Sequence, residues 1–158
     1  MKTAPFRKSK LANRGAGAED DVHKFLAGWA AASTHREANR LVDTKAAGRV
    51  IKAAAADFEF FCEDGLETFH GLIEVKATEH EYRLSKSRLT QFARLRKRAN
   101  CGGEVFVLVY HSTIKRWRVL TNKDLGDISV AGSWDLRPIP TYLTPDLAMV
   151  AAHDIWAL

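Results

Sequence analysis

The sequence predicts a single α/β domain in which helices flank a mixed β-sheet. The segment EVFVLVY at residues 104–110 is a continuous apolar run, as expected of a strand buried on both faces. Around it the patterns give the order helix, strand, strand, helix, strand, strand and a helical tail. At 158 residues with 46% apolar residues, the chain is long enough for one compact core and too short for two.

The two cysteines, Cys62 and Cys101, form no CxxC pair and have no histidine at metal-ligand spacing. This argues against a disulfide scaffold or a structural zinc site and indicates a reducing, cytoplasmic setting. No stretch has the pattern of a signal peptide or a membrane span, so no membrane partner is predicted.

The net charge of +5 is concentrated at the N-terminus, where residues 1–14 carry five basic residues and no acid. We predict a flexible basic arm over residues 1–14, ahead of a single domain over residues 15–158. Such an arm on a near-neutral domain is typical of proteins that bind nucleic acid, although a merely solubilising terminus fits equally well. The DNA contacts predicted in the arm are Lys8, Lys10 and Arg14.

A first helix is predicted from residues 15–17 to about residue 33. Its apolar face has helical spacing and consists of Val22, Phe25, Leu26 and Trp29. Of three consecutive acids, Glu19 lies within roughly 60–70° of the centre of that face, whereas Asp20 and Asp21 point away or to the margin. Glu19 is therefore the acid expected to face inward.

Residues 34–52 show no sustained period and are predicted to form a loop. Basic residues recur along it, and Arg36, Arg40 and Arg49 are predicted to contact DNA phosphates. A solvated linker is the alternative.

Two strands are predicted at residues 55–62 and 67–77, joined by a tight turn at Asp64–Gly65. Because side chains alternate along a strand, Glu74 and Lys76 share one face while Ile73 and Val75 face the other way. Together with Asp57 on the neighbouring strand, Glu74 offers the oxygen ligands that Mg²⁺ prefers. The alternative is a surface ion pair between Glu74 and Lys76.

The rest of the chain predicts a helix from Ser85 to about residue 99, strands at residues 104–110 and 116–120, a helical turn at residues 122–125 and a last helix at residues 145–152. On the first of these helices, Lys86 and Arg88 are predicted DNA contacts, unless they belong to a solvated face. Packing roles are assigned to Trp134, His153 and Trp156.

These residues occur in the order of a known nuclease pattern. The run Arg14-Gly15-Ala16-Gly17-Ala18 precedes Glu19, and Asp57 and Glu74-Val75-Lys76 follow. Over roughly residues 14–120 the chain resembles the PD-(D/E)xK nuclease superfamily, and more narrowly the Holliday-junction resolvases of archaeal, phage and RecU type. The chain departs from the signature at Ala56, where the superfamily name has Pro.

The resemblance implies a restriction-endonuclease-like fold, hydrolysis dependent on Mg²⁺ or Mn²⁺, and a homodimer that resolves four-way junctions in branched DNA by paired nicks. The implied metal ligands are Glu19, Asp57, Glu74 and Val75. Lys76 would orient or activate the attacking water, and Gln91 matches a further polar position. Another nuclease of the superfamily, or a non-catalytic nucleic-acid-binding module with the same fold, are the alternatives.

Overall fold

A computed structural model describes residues 10–41, 54, 56–89, 91–126 and 132–157. The helices are α1 (Lys10–Ala31), α2 (Phe92–Asn100), α3 (Asn122–Leu125) and α4 (Pro145–Ala152). The strands are β1 (Arg36–Arg40), β2 (Phe58–Asp64), β3 (Glu67–Thr78), β4 (Arg83–Ser85), β5 (Glu104–His111), β6 (Arg116–Leu120) and β7 (Ser133–Asp135). Short 3₁₀ turns occupy Lys86–Arg88 and Asp154–Trp156.

The main sheet has five strands in the order β1-β2-β3-β5-β6. The central pair, β3 and β5, is parallel, and the other three pairs are antiparallel. Strands β4 and β7 form a separate two-stranded sheet. This mixed sheet flanked by helices confirms the predicted fold class.

Strand β5 separates two apolar clusters. Phe106 and Leu108 face the cluster built with α1 and α4, while Val105, Val107 and Val109 face the cluster built with α2. Burial on both faces explains why this strand has no polar alternation. The sequence-based prediction of a doubly buried strand is confirmed.

Helix α1 begins at Lys10, five residues before the predicted start. The last part of the predicted arm is therefore helical, and residues 1–9 lie outside the described residues. Within the described part of the chain, no helix combines the length and the apolar character needed to cross a membrane.

Strand β1 corrects the prediction of a loop over residues 34–52. It pairs antiparallel with β2, from Arg36 opposite Cys62 to Arg40 opposite Phe58. An edge strand pairs through its main chain on one side only, so its side chains need not be apolar, and most of β1 is exposed. Its polar sequence therefore carried no strand signal.

Two further boundaries differ from the predictions. Strand β2 begins at Phe58 rather than near residue 55. The helix predicted from Ser85 begins only at Phe92, because Ser85 ends β4 and its hydroxyl is paired with that of Ser87. Strands β4 and β7, each of three residues, are too short to give a period.

The C-terminal 3₁₀ turn completes the cluster under α1. Trp156 is fully buried, with ring centroids 4.7 Å from those of both Trp29 and Phe60. The indole N–H of Trp29 donates to the carbonyl of Ile155 at 2.8 Å. The packing roles predicted for Trp156, for buried Trp134 and for His153, whose ring meets that of Phe69, are confirmed.

Candidate active site

The sheet opens between β2 and β3. Their pairing ends with Phe58 opposite Ile73, whereas β3 continues beside β5 as far as Thr78 opposite His111. In the described part of the chain, residues 74–78 thus have a strand partner on one side only. We call residues 74–78 the open half of β3 and residues 67–73 its closed half.

Asp57 lies at the point where the two strands separate. Its N–H donates to the carbonyl of Ile73 at 3.2 Å, and its Oδ2 accepts a hydrogen bond from the N–H of Val75 at 2.7 Å. The carboxylate of Asp57 thus accepts the hydrogen bond that a main-chain carbonyl would accept from Val75 if the β2–β3 pairing continued. Since the N–H and C=O of one strand residue point to the same side, the carbonyl of Val75 also faces this opening.

Glu74 and Lys76 project from the open half on the same side of β3, as the alternation predicted. Glu74 is only 3% exposed, and the ammonium of Lys76 donates to its Oε1. The other oxygen, Oε2, is buried and has no hydrogen-bond partner among the described residues. Burial raises the pKa of Glu74 to about 7, and the nearby Asp57 charge adds to this while Lys76 opposes it.

Glu19 reaches the same region from α1. Arg40, the last residue of β1, donates to its Oε2 at 2.9 Å and also lies 3.7 Å from Oδ1 of the more exposed Asp20. Burial and the charge of Asp57 raise the pKa of Glu19, whose own charge also raises the pKa of Glu74. The structure thus brings Glu19, with its predicted partners, into one electrostatic cluster.

The cluster concentrates negative charge in a poorly solvated place. Burial also raises the pKa of Asp57, against the effects of the Val75 N–H and of the cations Lys76 and Arg40. Carboxylates that raise one another's pKa favour a bound cation, because a cation stabilises their charged forms.

As they stand, no three His, Cys, Asp or Glu side chains in the described ranges are gathered closely enough to hold a metal ion. Each acid already has another partner: Lys76 for Glu74, Arg40 for Glu19 and the Val75 N–H for Asp57. The donor types suit a hard cation nonetheless, since all are oxygens and Glu74 Oε2 lacks a partner in the part of the chain that the structure describes.

Comparison with known proteins identifies a solved structure with a similar fold. No protein-family model and no curated protein sequence matches the chain. A solved structure does match, that of Archaeoglobus fulgidus Hjc, a Holliday junction resolvase from an archaeal hyperthermophile. The two structures superpose with a TM-score of 0.51 and 20% sequence identity, and the match covers 85% of this chain and 95% of the Hjc chain. The chain has a Holliday-junction-resolvase fold.

Gln91 lies directly before α2 on this resolvase fold. Its main-chain carbonyl accepts hydrogen bonds from the N–H groups of Arg94 and Leu95, and its side-chain Oε1 is buried and finds no partner within the described ranges. The contacts described for Gln91 do not join it to the acids, and its role stays a prediction.

The predicted DNA contacts occupy different places. Lys86 and Arg88 lie on the 3₁₀ turn after β4, with the Lys86 ammonium over the Trp134 ring. Arg36 lies at the far end of β1 from the acids, where it donates to the carbonyl of Ala157. Lys10 and Arg14 belong to α1, and Lys8 and Arg49 lie outside the described residues.

The contact between Arg40 and Glu19 is not among the sequence-based predictions. Arg40 was predicted as a loop residue that contacts DNA, because nothing in the polar segment at residues 36–40 signals an edge strand. Only the pairing of β1 with β2 brings its guanidinium next to α1.

Proposed function

We propose that this protein is a metal-dependent endonuclease that resolves four-way DNA junctions by paired nicks. The observation that carries the proposal is the bond from the Val75 N–H to Asp57, which fixes a carboxylate beside Glu74 and Lys76 where the sheet opens. The resolvase fold supports the choice of a branched DNA substrate.

The ion in this proposal is Mg²⁺ or Mn²⁺, held by the carboxylates of Asp57, Glu74 and Glu19 and the carbonyl of Val75. The Oε2 of Glu74, buried and without a hydrogen-bond partner among the residues that the structure describes, supports this assignment. When bound, such an ion neutralises phosphate charge and makes a bound water more acidic.

Lys76 supplies the second positive charge in the proposed site. Its side chain is 22% exposed, so its ammonium lies at the border between the buried carboxylate and solvent. A cation in that position stabilises the negative charge that develops on a phosphate as its P–O bond breaks. Replacement of Lys76 by an uncharged residue should therefore slow cleavage more than it weakens binding.

The proposal includes a homodimer. Two symmetric nicks made in a single binding event require two active sites, and each chain supplies one cluster of acids. The oligomeric state is tested by light scattering after size-exclusion chromatography, with and without junction DNA.

The activity is tested with four DNA substrates: a four-way junction, a linear duplex, a nicked duplex and a single strand, each with Mg²⁺ or Mn²⁺. We expect paired symmetric nicks in the junction only. The variant Glu74→Gln should bind the junction and leave it uncut. Cutting of linear duplex at one defined sequence would instead indicate a restriction-type nuclease, and binding without cleavage in either metal would indicate a non-catalytic module.

A further inference from the structure

The β4–β7 sheet carries basic side chains and follows the open half of β3 in the chain, since β4 begins at Arg83, five residues after Thr78. We call β4, β7 and the 3₁₀ turn Lys86–Arg88 the ribbon. Its apolar residues Leu84 and Trp134 belong to the cluster that also contains Leu72. Since Leu72, Glu74 and Lys76 alternate onto the same face of β3, the ribbon lies on the face of β3 that presents Glu74 and Lys76.

Lys86 is held by contacts within the ribbon. The N–H of Lys86 donates to the carbonyl of Gly132 at 3.1 Å, and its ammonium lies 5.6 Å from the centre of the Trp134 ring. Arg83 is exposed, and Arg88 is partly so. Cations on a surface near a site for phosphodiester cleavage suit the DNA backbone.

Both ends of the ribbon meet at one buried guanidinium. Arg118 of β6 is 4% exposed. Its Nη1 donates to the carbonyl of Glu81, just before β4, at 2.5 Å, and its Nε donates to the carbonyl of Ile139, shortly after β7, at 2.8 Å. A further bond, from the Leu136 N–H to the Tyr82 carbonyl, joins the same two segments.

His111 on β5 completes the arrangement. Its Nε2 lies 3.1 Å from Arg118 Nη1, and its Nδ1 lies 3.0 Å from the carbonyl of His80. Because an arginine can only donate, Nε2 of His111 is the acceptor in this pair. The imidazole proton is therefore on Nδ1, which donates to the carbonyl of His80. The chain leaving the open half of β3 is thereby fixed to the main sheet at two successive points.

A buried arginine is expensive to desolvate and needs several partners. In the described part of the chain, the acceptors of Arg118 are two main-chain carbonyls and a histidine instead of a carboxylate. A carboxylate partner would tie the guanidinium to a single side chain, whereas these acceptors fix the course of two loops. This is the pattern of a residue that positions backbone.

We propose that Arg118 is a positioning residue that holds the ribbon beside the open half of β3, so that the ribbon's basic side chains contact the DNA backbone next to the cleaved bond. The DNA partner rests on the proposed function. The positioning itself rests on the contacts of Arg118.

The test compares Arg118→Met and Arg118→Lys with Arg116→Met, which removes the same charge two residues away on the same strand. Amide hydrogen exchange is measured without DNA, and KM and kcat are measured on the four-way junction. For Arg118→Met we expect ribbon amides to exchange at least 10-fold faster with β3–β5 amides unchanged, KM to rise about 10-fold and kcat to stay within about 3-fold. The exchange rates and KM of Arg118→Lys should lie between those of Arg118→Met and the wild type, and those of Arg116→Met should resemble the wild type.

A surface variant keeps the test decisive if Arg118→Met does not fold. The double variant Lys86→Gln/Arg88→Gln should raise KM similarly and reduce the salt dependence of binding, as expected when phosphate contacts are lost. Unchanged ribbon exchange in Arg118→Met, or an unchanged KM in the surface variant, overturns the inference while the nuclease stands. A wild-type protein that neither binds nor cuts junctions overturns both proposals.

Discussion

The two halves of strand β3 share one neighbour and differ in the other. Strand β5 flanks both halves, but β2 pairs only with the closed half, which ends at buried Ile73. The open half begins at Glu74 and contains Lys76. Buried charges are costly unless they have partners; here Lys76 is the partner of Glu74, and Asp57 accepts the N–H of Val75. The point where the β2–β3 pairing ends thus separates the closed half, which packs in the core, from the open half, which carries the charged side chains of the candidate site.

The largest effect is expected in the open half. Lys76→Met should reduce single-turnover cleavage of a four-way junction by about 10³-fold, because one cation at the phosphate is lost, while junction affinity stays within about 3-fold. Lys24→Met removes the same charge from an exposed site on α1 and serves as the control. Equal losses in both variants would mean that only overall charge matters.

The closed half rests on the aromatic cluster, where the expected effect is on stability. Trp156→Ala should lower the free energy of unfolding by about 3–5 kcal/mol, because the cavity removes contacts with Trp29, Phe60 and Phe106. Urea unfolding measures this, with Leu143→Ala at an exposed position as the control. A loss under 1 kcal/mol would show that the C-terminal turn does not support the core.

Gly71 tests how tightly β3 and β5 pack in the closed half. A Cβ at this position would lie 2.0 Å from the carbonyl oxygen of Glu104, so Gly71→Ala must move one strand and should destabilise the protein by about 1–3 kcal/mol. Gly17→Ala on α1 meets nothing within 4 Å and should stabilise the helix by up to about 1 kcal/mol. Similar results for both variants would contradict the packing described.

The open half should make stability depend on pH. The pKa of Glu74 is raised to about 7 in the folded protein, from about 4.5 when unfolded, mainly by burial. Protonated Glu74 favours the folded state, so its contribution to stability is complete below about pH 4.5 and is lost as the pH rises through 7. With metal chelated, the stability of the wild type relative to Glu74→Gln should fall by about 3 kcal/mol between pH 4.5 and 8. A constant difference would show that Glu74 titrates normally.

Elements with two buried faces or a clear period could be predicted from the sequence. Strand β6 and helices α3 and α4 have the predicted bounds, and β3 and β5 each extend one residue further. Strand β1 could not be predicted, since an edge strand needs no apolar side chains. Strands β4 and β7 depend on each other across about 50 residues and leave no local signal.

In the candidate site, too, features that follow a local sequence pattern could be predicted, and contacts between distant elements could not. Alternation along β3 correctly put Glu74 and Lys76 on one face, and helical geometry correctly selected Glu19 from three acids. The bond between Asp57 and the Val75 N–H was out of reach, because it depends on where β2 ends. The contact of Arg40 with Glu19 was equally hidden, because it joins α1 to an edge strand that the sequence does not signal.

The most direct test of the open half as a catalytic site is Asp57→Asn. An asparagine oxygen can still accept the hydrogen bond from the Val75 N–H, so the fold is kept while one negative charge is removed. With Mg²⁺ and a four-way junction, we expect the wild type to make paired nicks and Asp57→Asn to bind the junction with cleavage reduced by about 10³-fold. Cleavage by Asp57→Asn at the wild-type rate would contradict the account.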